Sequence, residues 1–578
     1  MAKKDMAKEE KYTLDQLRHS TAHLLAQAVK ELFPNTKLTL GPPTANGFFY
    51  DFLPEENFKE EDLEKISEKM REIVKRNLKI THEEISKEEA KKLYKDNPFK
   101  LELIENVPGD TIGLSRQGDF YDMCKGDHIP YTKMLKHFKL TNLSGSYWRA
   151  DKKNQKLQRI FGIVFFSKED LTNYEKLMEE AKLYDHRRLG KELDLFSFHE
   201  AGVGFPFFHP KGKTIINILT KFLRKKLEKE GYQEISTPII LSKKLWEQSG
   251  HYTHYKDNMY FCTIDEKINA VKPMNCPGTI LVYKNRPHSF RELPLKYSEF
   301  GLVHRHELSG VLHGLLRVRA FTQDDAHVFC TEEQIEQEVL KLIKLVYFVL
   351  NQFDFKNIKV DLSTRPANSM GSDELWEKAT KALKNALDKA KIPYTICEGE
   401  GAFYGPKIDF IIQDSMGREW QCSTIQADFF LPENFDLTYV ASGGQKKRPV
   451  MLHRAIYGSF ERFFAILLEH YKGKLPLWLA PVQARILTIT DEQKPYAQAL
   501  LEKLKKQGMR IELDESGEQI SAQIKTAQLA KIPWMLVIGK KEVEKNTITL
   551  RYQSGKQEFG LTLEDLIKKF DAEGKIPE

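Results

Sequence analysis

No stretch of the chain approaches the roughly 20 consecutive apolar residues that a membrane helix needs, so no membrane partner is expected. The start, Met1 to Lys11, is charged and has no apolar core, which argues against a secretory signal. Cysteine is scarce. Six cysteines, at positions 124, 262, 276, 330, 397 and 422, are scattered through 578 residues and form no disulfide pattern. A reducing, cytoplasmic setting follows, in which a cysteine near histidines reads as a ligand or a nucleophile. Charge of one sign does not dominate either. A net charge of +7 permits a polyanionic partner without demanding one, because solvated lysine faces give the same total. Internal repeats and low-complexity tracts are missing. With 41% hydrophobic and 30% charged residues, the composition is that of a globular protein too long for one core, so about three domains are expected.

The periodicities that are present divide the chain. After a short Lys/Glu-rich tail, Leu14, Leu17, Leu24, Leu25, Val29 and Leu32 recur at helical steps, with Pro34 and Asn35 as a stop. A second amphipathic helix carries Leu63, Ile66, Met70, Ile73, Val74 and Leu78. An aromatic-rich strand over Ile160 to Phe166 leads into a charged helical connector from Ser167 to Arg188. From about Asp194 to Lys474 the texture changes to long β-runs. Lys407 to Ile412 and Glu419 to Ile425 flank the turn Asp414-Ser415-Met416-Gly417, a hairpin signature. A single long helix, Glu332 to Phe353, capped by Thr331, is expected to interrupt these runs. Strands joined by hairpins favour an antiparallel sheet with helices packed on it. The last hundred or so residues alternate as βαβαβ, from Ile486 to Ile538, which predicts a separate small α/β domain with a largely parallel sheet. The fold class is therefore α+β and multidomain.

Three residues of the middle region stand out as metal-ligand candidates: Cys276, His327 and His453. A lone buried cysteine or histidine is usually structural, but these have unusual neighbourhoods. Cys276 is pinned by two prolines and a glycine in Lys272-Pro273-Met274-Asn275-Cys276-Pro277-Gly278. His327 ends Phe321-Thr322-Gln323-Asp324-Asp325-Ala326-His327, where polar groups crowd a strand. His453 precedes Arg454-Ala455-Ile456-Tyr457-Gly458-Ser459-Phe460-Glu461-Arg462.

Together with Gly231 to Pro238, and with Phe300 to Glu307 continuing through Ser309-Gly310 to Arg317-Val318-Arg319-Ala320-Phe321, these segments resemble the three signature motifs of class II aminoacyl-tRNA synthetases, and within them the threonyl-tRNA synthetase family. The likeness runs from about residue 12 to the end. It implies activation of L-threonine with ATP and Mg2+, transfer to the 3′ end of tRNA(Thr), and a homodimer joined through the first motif. It implies one Zn2+ per subunit, held by Cys276, His327 and His453 with a position open for the amino and hydroxyl groups of threonine. Valine, lacking the hydroxyl, cannot fill that position. By the same likeness Arg305 grips the α-phosphate, Arg317 the γ-phosphate, Glu307 the adenine side and Arg462 the far face of ATP. Guanidinium groups suit these tasks because they clamp phosphate and stack on a purine. Phe321, Gln421, Thr424 and Ser459 complete the ATP set. Met274, Gln323, Asp325, Tyr404 and Gln426 are the substrate set, with Lys407 and His251 as further catalytic candidates; a solvated loop histidine is the plain alternative for His251. The family's Pro-Gly-His run reads Pro277-Gly278-Thr279 here.

Zinc cannot tell threonine from serine, which differ by a methyl worth only about 1–3 kcal/mol. A second, hydrolytic site is physically expected. His19 and His23, four apart on a helix, share a face, and Cys124 and His128 can converge on them. The residues alone leave a second zinc site and a metal-free pocket both open. The resemblance, here to the family's editing domain, implies the metal-free pocket acting on seryl-tRNA(Thr), with Tyr50, Asp51 and Asp122 around it and Asp127 where the family carries proline. The C-terminal domain resembles the family's anticodon-binding domain, with Glu542 and Arg551 at base-reading positions; exposed surface charges are the plain alternative. The implied layout is a tail over 1–11, an editing domain over 12–166, a linker helix over 167–188, a class II catalytic domain over 189–475 and an anticodon-binding domain over 476–578, without the N-terminal β-grasp domain of bacterial relatives. A synthetase-like binding or regulatory protein without catalysis is the alternative.

Overall fold

The computed structural model describes residues 12–44, 46–151 and 153–577, so the expected 1–11 tail lies outside the described residues. The chain forms two compact units, Met1–Glu179 and Glu180–Glu578.

The first unit begins with α1 (Leu14–Leu32), started by a capping box in which Thr13 and Gln16 satisfy each other's backbone. It continues through β1 (Lys37–Leu38), β2 (Gly47–Leu53), α2 (Asp62–Arg76), β3 (Ile80–Ser86), α3 (Pro98–Asn106), β4 (Thr111–Gln117), β5 (Phe120–Met123), β6 (His137–Tyr147) and β7 (Lys156–Phe165). One antiparallel sheet runs β1-β2-β7-β6 and a smaller one β3-β4-β5. From Ser20 to Val29 every residue of α1 is buried, which brings His23 into the interior with the apolar stripe and leaves His19, one turn earlier, half-buried. The charged stretch read as one connector is two helices, α4 (Lys168–Leu183) and α5 (His186–Glu192). Asp185 leaves the helical backbone and its side chain caps Arg187 N–H, which starts the second helix.

In the second unit α6 (Pro210–Lys229), β8 (Gln233–Glu234), α7 (Cys276–Lys284), β9 (Leu295–His304), β10 (Ala320–Cys330), α8 (Ile335–Asn351), β11 (Ile358–Ser363), α9 (Asp373–Ala390), β12 (Thr395–Cys397), β13 (Lys407–Gln413), β14 (Glu419–Asp428), β15 (Val450–Ala455) and α10 (Phe460–His470) build the central body. Its eight-stranded sheet runs β8-β9-β10-β15-β14-β13-β11-β12, antiparallel except for the outermost pair at each margin. α6, α8, α9 and α10 pack into the core it covers. The expectation of a single long helix is thus wrong. α8 starts after a 3-10 turn at Glu332–Gln334, and the same region also holds the 20-residue α6 and the 18-residue α9. Its buried Trp376, Ala379, Leu383, Ala386 and Leu387 keep helical spacing behind a Ser372 cap.

The C-terminal part contains β16 (Ala484–Thr488), α11 (Lys494–Lys506), β17 (Ile511–Leu513), α12 (Ile520–Leu529), β18 (Trp534–Ile538), α13 (Lys540–Lys545), β19 (Ile548–Tyr552), β20 (Gln557–Leu561) and α14 (Leu563–Glu573). Its sheet order is β17-β16-β18-β19-β20, with the first three strands parallel and the last two antiparallel. Among the described residues no helix is long and apolar enough to cross a membrane.

Candidate functional site

Strand alternation sorts β10. Phe321, Gln323, Asp325 and His327 project from one face, while Ala326 and Val328 enter the core. Asp324, on the core side, accepts from Ile456 N–H at 2.7 Å and Tyr457 N–H at 3.0 Å and pairs with buried Arg454 at 3.2 Å. Burial, the largest influence, pushes its carboxyl up to about 6. This anchor fixes the exit of β15. Its His453 lies directly opposite His327 in the β10/β15 register, with ring centroids 4.9 Å apart. Cys276 opens α7. The ligand-capable atoms of Cys276, His327 and His453 all lie within 4.8 Å of one another.

The donor set fits a cation. His327 Nε2 is buried without a hydrogen-bond partner, an expensive state for a ring nitrogen unless something fills it. Burial, with Asp325 and Asp428, raises the Cys276 thiol well above its ordinary value, so only a bound cation makes its thiolate affordable. Asp428, which the sequence reading passed over, takes His453 Nε2 at 2.8 Å and orients the ring.

A cavity of about 210 Å³ opens beside these residues, lined among others by Met274, Arg305, Gln323, Asp325, Tyr404, Thr424 and Gln426 together with Cys276 and His453. All five substrate candidates therefore share one cavity. Arg305 lies over the Phe321 ring at 5.0 Å and donates to Pro273 O at 3.2 Å. Arg317 is paired with Glu307 at 3.0 Å. Arg462 has a buried Nε with no partner and sits 5.7 Å from the Trp420 ring; Ser459 caps its helix, accepting Arg462 N–H at 3.2 Å. Lys407, Gln421 and Thr424 converge on a residue the sequence reading missed. Asp409 holds them at 2.6, 2.7 and 2.8 Å. The convergence depends on a bulge in β14, where Phe410 pairs with Ser423 but Ile411 with Gln421. The extra residue, Cys422, turns Gln421 onto the face of Thr424 and Gln426, which simple alternation forbids.

His251 is not a solvated loop histidine. It is fully buried, with Nδ1 2.8 Å from Ser249 Oγ and Nε2 3.0 Å from Met274 Sδ. Burial, then Arg305 and His453, lowers it from 6.5 to about 3. Between those two values the unfolded chain binds a proton that the folded chain refuses, so this contribution to stability is whole above pH 6.5 and lost as pH falls toward about 3. His251→Asn should flatten the pH dependence of unfolding across that window in urea titrations; an unchanged slope refutes the assignment. Thr279, in the place of the family's histidine, is buried, its hydroxyl back-bonded to Asn275 O at 3.4 Å.

In the first unit α1 delivers His19 and His23 to Cys124 and His128, and the four ligand-capable atoms again lie within 4.8 Å of one another. Ser20 Oγ donates to Gln16 O at 2.8 Å and accepts Ile129 N–H at 3.1 Å. His128 Nδ1, 3.0 Å away, must therefore be the donor, which leaves Nε2 to accept the Cys124 thiol proton at 2.9 Å. Burial lowers His19, lowers His23 well below its ordinary range and takes His128 to about 2, while it raises the Cys124 thiol. Neutral imidazoles and an un-ionised thiol do not make a cysteine nucleophile. Tyr50 donates to Asp122 at 2.5 Å, and Asp122 also takes buried Lys100 at 2.5 Å, a partner with no signal in the sequence reading. Asp51 is on the other face of β2, in a two-pronged pair with Arg159 at 2.7 and 2.8 Å, away from this cluster. Asp127 has φ +69°, a backbone that proline cannot adopt, and holds Gln16 at 2.5 Å.

Of the base-reading candidates, Glu542 spends both oxygens locally, on Gly539 N–H at 3.0 Å and Thr549 Oγ at 2.8 Å. Arg551 on β19 has a buried, unpartnered Nε.

Three family models match: the class II tRNA synthetase core domain (G, H, P, S and T) over 260–471, the anticodon binding domain over 483–573, and the second additional domain of threonyl and alanyl tRNA synthetases over 113–161. The chain is 54% identical over 560 residues, 96% of its length and 88% of the relative's, to the threonine–tRNA ligase of Carboxydothermus hydrogenoformans. It is 55% identical over 554 residues, 95% and 86% of the two lengths, to that of Caldanaerobacter subterraneus. Among solved structures, the RNA binding domain of threonyl-tRNA synthetase from Cryptosporidium parvum is similar with a TM-score of 0.66 at 43% identity, covering 68% of this chain and 99% of that one.

Proposed function

The chain belongs to the threonine–tRNA ligase family, with its class II core, anticodon-binding and editing modules, and from this we propose how its own residues divide the work. ATP with Mg2+, threonine and tRNA are the reactants of that activity. The inactive alternative gains no support, since Arg305, Arg317 and Arg462 are all retained.

Cys276, His327 and His453 would hold one zinc ion, which supplies Lewis-acid recognition of an amino and a hydroxyl group together. Gln323, Asp325 and Gln426 bind and orient threonine in the cavity, with Tyr404 closing one wall. Arg305 faces the α-phosphate as charge develops there. Arg317 leaves Glu307 for the γ-phosphate, and Phe321 and Arg462 sandwich the base. Lys407 is aimed by Asp409. His251, kept neutral by burial, accepts or donates a hydrogen bond without bringing charge to the transfer step. The orphaned His327 Nε2 beside a buried thiol is the observation that carries this reading.

In the first unit, His19, His23 and His128 position water against a seryl ester, with Lys100 and Asp122 as a polar wall and no metal required. The convergence of four donor atoms favours a second, metal-bound reading of this pocket, which metal counting separates. Six unpaired cysteines suit a reducing cytoplasm. The segment Gly231 to Pro238 would join two subunits.

ATP–pyrophosphate exchange with threonine, serine and valine, before and after chelation, tests the synthetic site. Threonine and serine should support metal-dependent exchange and valine should not. Exchange that survives complete metal removal would falsify the zinc assignment.

A further inference from the structure

Beneath the loop that carries Arg317 lies a buried histidine that none of the chemistry above uses. His186, the first residue of α5, is fully buried. Its Nδ1 is 2.6 Å from Glu469 Oε1, which also accepts the His186 backbone N–H at 2.9 Å. Its Nε2 is 3.0 Å from the backbone nitrogen of Leu315. A peptide N–H only donates, so Nε2 carries the lone pair and the ring proton sits on Nδ1, facing Glu469. Asp185, His186 and Glu469 cluster like metal ligands, but both ring nitrogens are already committed to protein partners.

The contact falls at the centre of a closed turn. His313 N–H donates to Arg317 O at 3.2 Å and Arg317 N–H to His313 O at 3.4 Å. Gly314 within that turn has φ +49°, and a Cβ there would stand 2.1 Å from His186 Nε2. Only glycine lets the ring approach so closely. On the other side, Glu469 ends the helix that begins beside Arg462, and its second oxygen meets Arg418, whose Nε donates to Asp414 at 2.8 Å in the β13/β14 turn. One hydrogen-bonded line thus joins the hairpin turn, the end of α10 and the Arg317 turn.

We propose that His186 is a positioning residue for ATP binding: it latches the Leu315 N–H and so presents Arg317 to the terminal phosphate. The proposal rests on the role given to Arg317 above. The His313–Arg317 bonds and the buried side chains of Leu315 and Leu316 close the turn, and His186 adds the bond to the Leu315 N–H; freeing that N–H lets Arg317 sample positions out of reach of the nucleotide.

Exchange kinetics on the full chain test it. In His186→Asn the amide still reaches Glu469 but not Leu315; the Michaelis constant for ATP should rise about tenfold, the size of one lost hydrogen bond, with the threonine constant and kcat within about twofold. AMP, which lacks the distal phosphates, should inhibit variant and parent alike. His186→Gln, whose Oε1 can reach Leu315 N–H, should restore most of the ATP affinity. Constants for threonine and ATP that rise together, a fall in kcat alone, or no change in ATP overturn the latch. Gly314→Ala displaces the turn with His186 intact and must show the same ATP-selective effect if His186→Asn does not fold. Hydrogen exchange keeps the two readings apart: loss of Leu315 amide protection in His186→Asn reports the latch itself, whereas an unchanged ATP constant in Arg317→Ala discards only the role of Arg317.

Discussion

On the proposed zinc assignment, Cys276→Ser should abolish metal binding at this site and lower threonine-dependent ATP–pyrophosphate exchange by about 10³-fold or more, the scale of several kcal/mol that a Lewis acid supplies. A serine hydroxyl is nearly isosteric with the thiol but does not ionise in a site that already penalises charge, so two imidazoles remain and the open tetrahedral arrangement is lost. Cys330→Ser is the matching control. Cys330 is a fully buried thiol at the end of β10 that neither lines the cavity nor belongs to the ligand set, so metal content and exchange should stay close to the parent. Metal content by atomic emission and exchange are measured on the same preparations. A Cys276→Ser protein with full metal and activity within threefold of the parent would remove the basis of the site.

The second large effect concerns the other unit. Lys100 and Asp122 are each only 1% exposed and 2.5 Å apart. Lys100→Met leaves the Asp122 carboxylate with Tyr50 Oη and the Met123 N–H at 2.8 Å as its partners. Breaking a buried pair from one side costs about 3–5 kcal/mol, so unit one should melt earlier. Deacylation of seryl-tRNA should fall by about 10²-fold or more if the pair shapes the water-binding wall, while threonine activation is untouched. Adding Asp122→Asn removes the orphaned charge and should return most of the stability but none of the deacylation, a double-mutant pattern that separates folding from chemistry. Normal deacylation in Lys100→Met excludes the pair from the editing site.

Much of this was legible in the sequence. The apolar stripe of α1 and the glycine–proline frame of Cys276 are local patterns, and the synthetase motifs drew the scattered arginines and histidines into one expectation. What the sequence hid were partners whose identity depends on distant strands. Nothing local in the sequence reports that Lys100 and His186 are enclosed. Asp409 and Asp428 gain their roles from register. Gln421 faces the cavity only because Cys422 is bulged out, and a period-two reading of β14 turns it the other way. The pairing of Asp51 with Arg159 shows the converse: one step along β2 from Tyr50 carries a carboxylate to the opposite side of the sheet. The other long helices of this region, α6 and α9, keep a helical spacing of buried residues that the β-rich texture around them masks.

The order of the central sheet has a consequence for synthesis on the ribosome. β15 is the last of its eight strands to be made, yet it lies between β10 and β14, and it brings His453 with it. A nascent chain that ends before Val450 therefore holds two half-sheets whose inner margins still await pairing, and a cysteine and a histidine short of their third companion. Closure of the sheet and the meeting of Cys276, His327 and His453 are one event, so the three cannot come together before the central body has finished assembling.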